Sequence, residues 1–254
     1  MDDPSQVNTG DVLLFSGNNP TSIVIKFLTS SIWNHAGIGV RLNKEGKPSF
    51  NVKDELYVFD INSASRFDPI LQKEIEGASL CTYNWLKGMY NFVAVRHLDN
   101  KYRTAKMLEK MRLFLRDHYQ THFASGYQSA FKIGMAFPIL GATREMFCTE
   151  LVTKFYVDYL FPIVESSFEN RKLKEGKTLI ARCKLLFGSE APKSYRHFIP
   201  ENFTFSKTPE SSIFPEKEKI IFKDYSNALT VLGQPFFIVI LFAIILLMLL
   251  PQIK

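Results

Sequence analysis

Cysteine is scarce in this chain, which has three cysteines among 254 residues and no regular spacing between them. An odd number of irregularly spaced cysteines favours reduced thiols in a cytosolic compartment over a disulfide framework. The sequence also lacks zinc-finger spacing and the glycine-aromatic motifs of RNA-binding domains, so no nucleic-acid partner is expected despite the net charge of +6. That charge favours a mild attraction to an anionic membrane surface instead.

No secretion signal is expected either, because the first six residues, MDDPSQ, are polar and acidic. The other end of the chain is apolar: residues 228–250 carry no charge, and 236–250 are apolar without interruption. Crossing a bilayer takes about 20 residues, so the segment is long enough if 228–235 contribute. Lysines are more frequent before it than after it, at Lys217, Lys219 and Lys223 against Lys254. The pattern predicts a single-pass, tail-anchored membrane protein with its large domain in the cytosol.

The rest of the chain predicts one α+β domain over 1–205, joined to the transmembrane helix over 228–250 by a charged linker over 206–227. Short β-rich runs predict a small antiparallel sheet, with strands at 10–15, 34–41, 56–60, 79–83 and 91–96. Helical periodicity and capping residues predict helices at 22–29, 102–119 and 148–160. The expected architecture is a small sheet packed with helices.

Three residues of this domain have the chemistry of a nucleophilic site. A free thiol has a pKa of about 8.5 and reacts only as thiolate, so a cysteine nucleophile needs help from its surroundings. Cys148, at a predicted helix start, would gain that help from the helix dipole and from the imidazole of His35. Asp60, in the strand expected beside that of His35, would accept the other imidazole N–H and fix its tautomer. Taken singly, each has a plainer interpretation: a buried thiol, a core histidine and a turn aspartate.

Several motifs in one order strengthen the nucleophile interpretation. They are Gly10-Asp-Val-Leu-Leu-Phe15, Thr29-Ser-Ser-Ile-Trp-Asn-His-Ala-Gly-Ile-Gly39, Tyr57-Val-Phe-Asp60, Val93-Ala-Val-Arg96, Gly126-Tyr127 and Phe147-Cys-Thr-Glu-Leu-Val152. In this order they resemble the permuted papain-like amidases of the NlpC superfamily, which include bacterial and poxviral members. The histidine precedes the cysteine, as circular permutation of a papain-like fold requires.

The resemblance implies an α+β, circularly permuted papain-like fold and a role for each matching residue. His35 would be the base, Cys148 the nucleophile and Asp60 the orienting carboxylate, although the family more often has glutamate at that position. Tyr127 matches a family tyrosine near the site and would donate to an oxyanion alongside the backbone N–H of Cys148. The implied reaction is acyl transfer from a peptide, isopeptide or other amide through a Cys148 thioester, with no metal or organic cofactor.

Two other functions remain open at this stage. Enzymes similar to lecithin:retinol acyltransferase have a related permuted fold, the same His-before-Cys order and often a C-terminal anchor, so lipid acyl hydrolysis or transfer is an alternative. A catalytically inactive, membrane-tethered interaction module is the other. A zinc site is not expected: His118 and His122 lie four residues apart, but the H-E-x-x-H glutamate and a third ligand are missing. Cys81 and Cys183 are expected to be structural.

Overall fold

One antiparallel β-sheet of seven strands forms the centre of the molecule in the computed structural model, which describes residues 3–122, 146–165, 178–187, 195, 198–204 and 213–224. The strands are β1 (Val12–Ser16), β2 (His35–Leu42), β3 (Pro48–Ser49), β4 (Glu55–Asp68), β5 (Lys73–Thr82), β6 (Phe92–Arg96) and β7 (Lys219–Lys223). Their spatial order is β5-β4-β2-β1-β6-β7, with β3 paired to β2. The strands β1 and β2 therefore lie in the middle of the sheet.

Helices cover this sheet and connect its strands. They are α1 (Pro20–Thr29), α2 (Tyr83–Met89), α3 (Ala105–His118), α4 (Cys148–Lys154), a π-helix (Phe155–Leu160), α5 (Phe161–Val164) and α6 (Leu179–Phe187). Short 3-10 helices lie at Pro4–Gln6, Asn100–Tyr102 and Pro200–Phe203. Side-chain caps start several of them: Asn19 accepts from the backbone of Ser22 at α1, and Thr104 accepts from that of Met107 at α3.

Both faces of the sheet are covered, which explains why every residue of β1 and β2 is buried. Successive side chains of a strand point to opposite faces. In β1, Val12 and Leu14 belong to the larger apolar cluster together with α3, α4 and α6, whereas Leu13 and Phe15 belong to a smaller cluster with α2. The sheet is thus a layer between two cores of unequal size.

The helix that begins at Cys148 is anchored in the larger core. Leu151 and Val152 are fully buried in that cluster. The buried Thr149 hydroxyl donates a hydrogen bond of 2.6 Å to the carbonyl of Phe198, which ties the first turn of the helix to a distant segment. Since the helix runs directly into the π-helix and α5, Cys148 starts one long, rigidly held helical segment.

The expected small sheet in a circularly permuted papain-like α+β fold is wrong, because the sheet is large and dominates the described part of the chain. The hairpin of β4 and β5 extends far beyond its apolar halves and is paired from Tyr57↔Thr82 to Asp68↔Lys73. Its outer half is polar and exposed on one side, so the apolar runs in the sequence end before this half of the hairpin. Strand β7, within the range predicted as a linker, adds a further strand by pairing with β6.

The prediction of a membrane anchor also needs correction. None of the helices in the described ranges is long and apolar enough to cross a membrane. The segment 228–250, on which the anchor was predicted, lies outside the described residues. The predictions of a transmembrane helix, of the membrane as a partner and of a tail-anchored localisation are therefore withdrawn.

Candidate active site

The site is built around a hydrogen bond between His35 and Asp60, which lie on neighbouring strands. The imidazole Nε2 of His35 is 2.6 Å from Oδ2 of Asp60, and both side chains are buried. The pairing of β2 with β4 in the register Ile38↔Phe59 brings the two residues to the same end of the strand pair. A Cβ on Gly37 would lie 3.1 Å from Cβ of Asp60 and 2.5 Å from a methyl of Val58, so glycine leaves room for the carboxylate.

A buried arginine holds the other oxygen of the same carboxylate. Nη2 of Arg66 forms an ion pair with Oδ1 of Asp60 and donates to the Asp60 carbonyl at 3.0 Å. Its Nε donates to the Ser79 hydroxyl at 2.7 Å, so the guanidinium is fixed to both strands of the hairpin. The register of β4 and β5 shifts between Asn62 and Arg66, and the extra residues on β4 shorten the distance along the sheet from Arg66 to Asp60.

These contacts keep Asp60 ionised. Burial alone would raise the pKa of the Asp60 carboxyl, but the charge of Arg66 and the hydrogen bond from His35 lower that pKa to about 2. Each carboxylate oxygen therefore has one cationic partner, and the side chain has no freedom to turn away from the imidazole. Nothing in the sequence patterns pointed to Arg66, because a bulge in a long hairpin determines where its side chain lies.

Cys148 meets the same imidazole. The cysteine is half-buried at the first residue of α4 and forms a hydrogen bond with His35. Because Asp60 occupies Nε2, Nδ1 is the ring nitrogen left for Cys148. Burial lowers the pKa of His35, but the charge of Cys148 as thiolate and the hydrogen bonds to Asp60 and Cys148 together raise it to about 10. A cysteine beside an imidazole that is itself held by a carboxylate is an arrangement that can serve nucleophilic chemistry.

Two aromatic rings enclose the imidazole. The ring of Tyr90 is stacked with that of His35 at an interplanar angle of 6° and a centroid distance of 5.7 Å. The ring of Phe15, also 5.7 Å from His35, is tilted by 45°. Burial and the negative charges of Asp60 and Cys148 raise the pKa of Tyr90 well above its ordinary value, so its hydroxyl stays protonated. Sequence reasoning missed Tyr90, since no local pattern relates it to His35.

The structure thus brings together three of the four residues predicted for the site, His35, Asp60 and Cys148. The fourth, Tyr127, lies outside the described residues. Cys81, expected to be structural, is buried with its sulfur 3.7 Å from Oδ1 of Asp60, so it packs behind the carboxylate. Burial raises the pKa of the third cysteine, Cys183, to about 12, which makes it a poor nucleophile at neutral pH.

No group of three or more histidine, cysteine, aspartate or glutamate side chains within the described ranges has the arrangement of a metal site. His118, considered above for zinc, lies at the last residue of α3 and packs against Phe114 and Tyr159. Its Nε2 is 3.5 Å from the Tyr159 hydroxyl. The residue therefore belongs to an aromatic contact at the helix end.

Comparison with known proteins adds little to this geometry. No protein-family model and no curated protein matches the chain. Among solved structures the chain is similar to metalloprotein yiiX of Escherichia coli O157:H7 (DUF1105), with 16% sequence identity, a TM-score of 0.44 and coverage of 86% of this chain and 98% of that one. A likeness at this level supports no conclusion about fold or function.

Proposed function

We propose that this protein is a cysteine hydrolase that cleaves amide bonds by acyl transfer through a thioester on Cys148. The observation that carries the proposal is the position of His35, whose imidazole contacts Cys148 on one side and lies 2.6 Å from Asp60 on the other. A thiol that contacts an imidazole, which in turn contacts a carboxylate, is the arrangement of a catalytic triad.

In the first half of the reaction the Cys148 thiolate attacks the carbonyl carbon of the substrate, and the carbonyl oxygen takes the negative charge. The backbone N–H of Cys148, in the first turn of α4, can donate to the oxyanion. The intermediate collapses as His35 gives its proton to the leaving amine. The C–N bond breaks, and a thioester remains on the enzyme.

In the second half a water molecule attacks the thioester carbon while the now neutral His35 accepts its proton. The C–S bond breaks, the acid leaves and Cys148 again becomes the thiolate beside the imidazolium. Asp60 keeps its charge throughout and holds the imidazole through Nε2. An amide substrate suits the site because an amine leaving group needs the proton that His35, with a pKa of about 10, carries at neutral pH.

Activity-based labelling tests the proposal. The full chain is treated at pH 7 with two electrophilic acyl probes that differ only in presenting a peptide amide or a lipid ester. We expect labelling by the amide probe in the wild type and none in Cys148→Ala or His35→Ala. Cys183→Ala is the matched control, since it removes a buried thiol that lies in the larger apolar cluster, and labelling should survive in it.

Three results would contradict the proposal in different ways. Preference for the ester probe would replace amide cleavage by lipid acyl hydrolysis. Labelling that persists in Cys148→Ala would assign the nucleophile elsewhere. A folded wild type that reacts with neither probe would favour an interaction module whose site has no turnover.

A further inference from the structure

The imidazole of His35 must keep one orientation for its two nitrogens to have different partners. Nε2 faces Asp60 at 2.6 Å, the imidazole also interacts with Cys148, and Nδ1 is the nitrogen left for that contact. A rotation of the ring about its Cβ–Cγ bond would break both contacts at once, and terminal torsions of this type are broad and soft. Hydrogen bonds at the ring edge leave the faces of the imidazole without support against this rotation.

Tyr90 covers that face. Its ring is parallel to the imidazole within 6°, at a centroid distance of 5.7 Å that places the two rings in an offset stack. Phe15 contacts both rings, 5.7 Å from His35 and 5.0 Å from Tyr90, so the three side chains form one aromatic group. A π-face carries negative charge density and attracts a cation, so this stack favours the protonated imidazole over the neutral one.

The backbone around Tyr90 is held on both sides. The Tyr90 N–H donates to the carbonyl of Lys87 at 3.3 Å at the end of α2, and the next N–H, of Asn91, donates to the carbonyl of Ser16 at 2.8 Å. A Cβ on Gly17 would lie 3.3 Å from Cδ1 of Tyr90, so the chain leaves room for the ring at this point. The tyrosine is therefore built into the end of the sheet beside β1 and β6, independently of α4 and its cysteine.

We propose that Tyr90 is a positioning residue of the site, whose ring holds the His35 imidazolium in the orientation that serves both Asp60 and Cys148. The role belongs to the π-face, and the hydroxyl is not needed for it. This role rests on the proposed function, since it concerns the ion pair of the proposed nucleophile and base. It differs from the oxyanion role considered for Tyr127, because Tyr90 acts on the histidine.

The test compares Tyr90→Phe, which keeps the π-face, with Tyr90→Leu, which keeps an apolar side chain against the imidazole but removes the π-face. In full-length protein with isotope-labelled histidine, the pKa of His35 is followed by NMR. The rate at which a neutral haloacetamide alkylates Cys148 at pH 7 is measured in parallel. Tyr159→Leu is the matched control, because it removes a tyrosine ring from another histidine, His118, at a centroid distance of 5.9 Å.

We expect Tyr90→Leu to lower the pKa of His35 by roughly 0.5–1 unit. It should also slow alkylation by about 3- to 10-fold, because the imidazole, although still protonated at pH 7, is no longer held in the orientation that faces Cys148. Tyr90→Phe and Tyr159→Leu should leave both quantities at the wild-type values. The inference fails if Tyr90→Leu changes neither quantity, or if Tyr90→Phe changes them as much as Tyr90→Leu does, since the hydroxyl would then be responsible.

Failure of the proposed function has a separate signature. If wild-type His35 titrates near 6.5 and His35→Ala leaves the alkylation rate of Cys148 unchanged, no activated ion pair exists and the proposed function is lost together with its positioning residue. If wild-type His35 has the raised pKa but Tyr90→Leu changes neither that pKa nor the alkylation rate, the ion pair exists and only the role of Tyr90 is refuted.

Discussion

The molecule contains two buried carboxylates with nearly the same partners, and only one of them belongs to the candidate site. Asp60 contacts His35 and Arg66. Asp11 contacts His97, whose Nδ1 is 3.1 Å from Oδ2, and forms an ion pair with Arg103. Both carboxylates are fully inaccessible to solvent. By composition the two clusters are equivalent.

Their surroundings give them different roles. Asp11 also accepts backbone hydrogen bonds of 2.8 Å each from Asn8 and Leu98, so its oxygens serve to join three segments of the chain. His97 lies beside Asp11 with a quarter of its side chain exposed to solvent. The imidazole of His35 instead interacts with Cys148 as well as with Asp60, and it is enclosed by the aromatic rings of Phe15 and Tyr90. A histidine, an aspartate and an arginine thus form a structural cluster in one place, and a nucleophile beside the histidine makes the same set a candidate site in the other.

Removing the histidine should separate the two clusters most strongly. We expect His35→Ala to slow turnover and labelling of Cys148 by about 1000-fold, since the general acid and base is lost. His97→Ala should leave both rates within about twofold of the wild type. Rates are measured per folded molecule, with folding checked by near-ultraviolet circular dichroism. Equal losses in the two variants would mean that His35 has no special role.

Neutralising the carboxylates gives the next contrast. Asp60→Asn and Asp11→Asn each leave a buried arginine without its counter-ion, so each should lower the free energy of unfolding by about 3–5 kcal/mol in urea titrations. Only Asp60→Asn should also slow turnover of the folded protein, by about 100-fold, because the imidazole loses its orienting anion. A similar loss of turnover in Asp11→Asn would show that Asp60 has no role in turnover beyond its effect on stability.

Two glycines of β2 offer a smaller and purely steric comparison. A Cβ on Gly37 would meet Val58 at 2.5 Å and press on Asp60, whereas a Cβ on Gly39 would meet Val7 at 2.8 Å and Asn8 at 3.1 Å, beside Asp11. Both alanine variants should be destabilised by about 1–3 kcal/mol through overpacking. We expect a loss of turnover, about 10-fold, only in Gly37→Ala. An active Gly37→Ala variant would show that Asp60 tolerates displacement.

The pH dependence of stability gives the most gradual effect. The pKa of His35 is raised from 6.5 to about 10 in the folded protein, so the stability contributed by its protonated form is complete below pH 6.5 and is lost as pH rises toward 10. Asp60, with its pKa lowered from 3.8 to about 2, contributes stability above pH 3.8 that is lost as pH falls toward 2.

Thermal unfolding across this pH range measures the effect. The difference in melting temperature between the wild type and His35→Ala should shrink between pH 6.5 and 10. A difference between wild type and His35→Ala that does not vary with pH would show that the imidazole is not charged in the folded protein.

Part of this site was readable in the sequence because it depends on local structure. The strand predicted at 34–41 corresponds to β2, and the helix predicted from Cys148 begins at that residue. Local patterns therefore put a histidine at a strand start and a cysteine at a helix start. The small sheet of a permuted papain-like fold was wrong, because the length of the β4–β5 hairpin comes from pairing between strands and not from apolar patterning within either strand.

The sequence by itself determined the residue types of the site and the local elements that carry them, because helix starts and strand runs depend on neighbours in the chain. Only the tertiary structure decided that Arg66 faces Asp60, that Tyr90 stacks on His35 and that Asp11 belongs to a structural cluster. Each of these outcomes depends on strand register, a bulge or a contact between distant segments. One residue of register turns a side chain to the opposite face, so local propensity cannot fix such contacts.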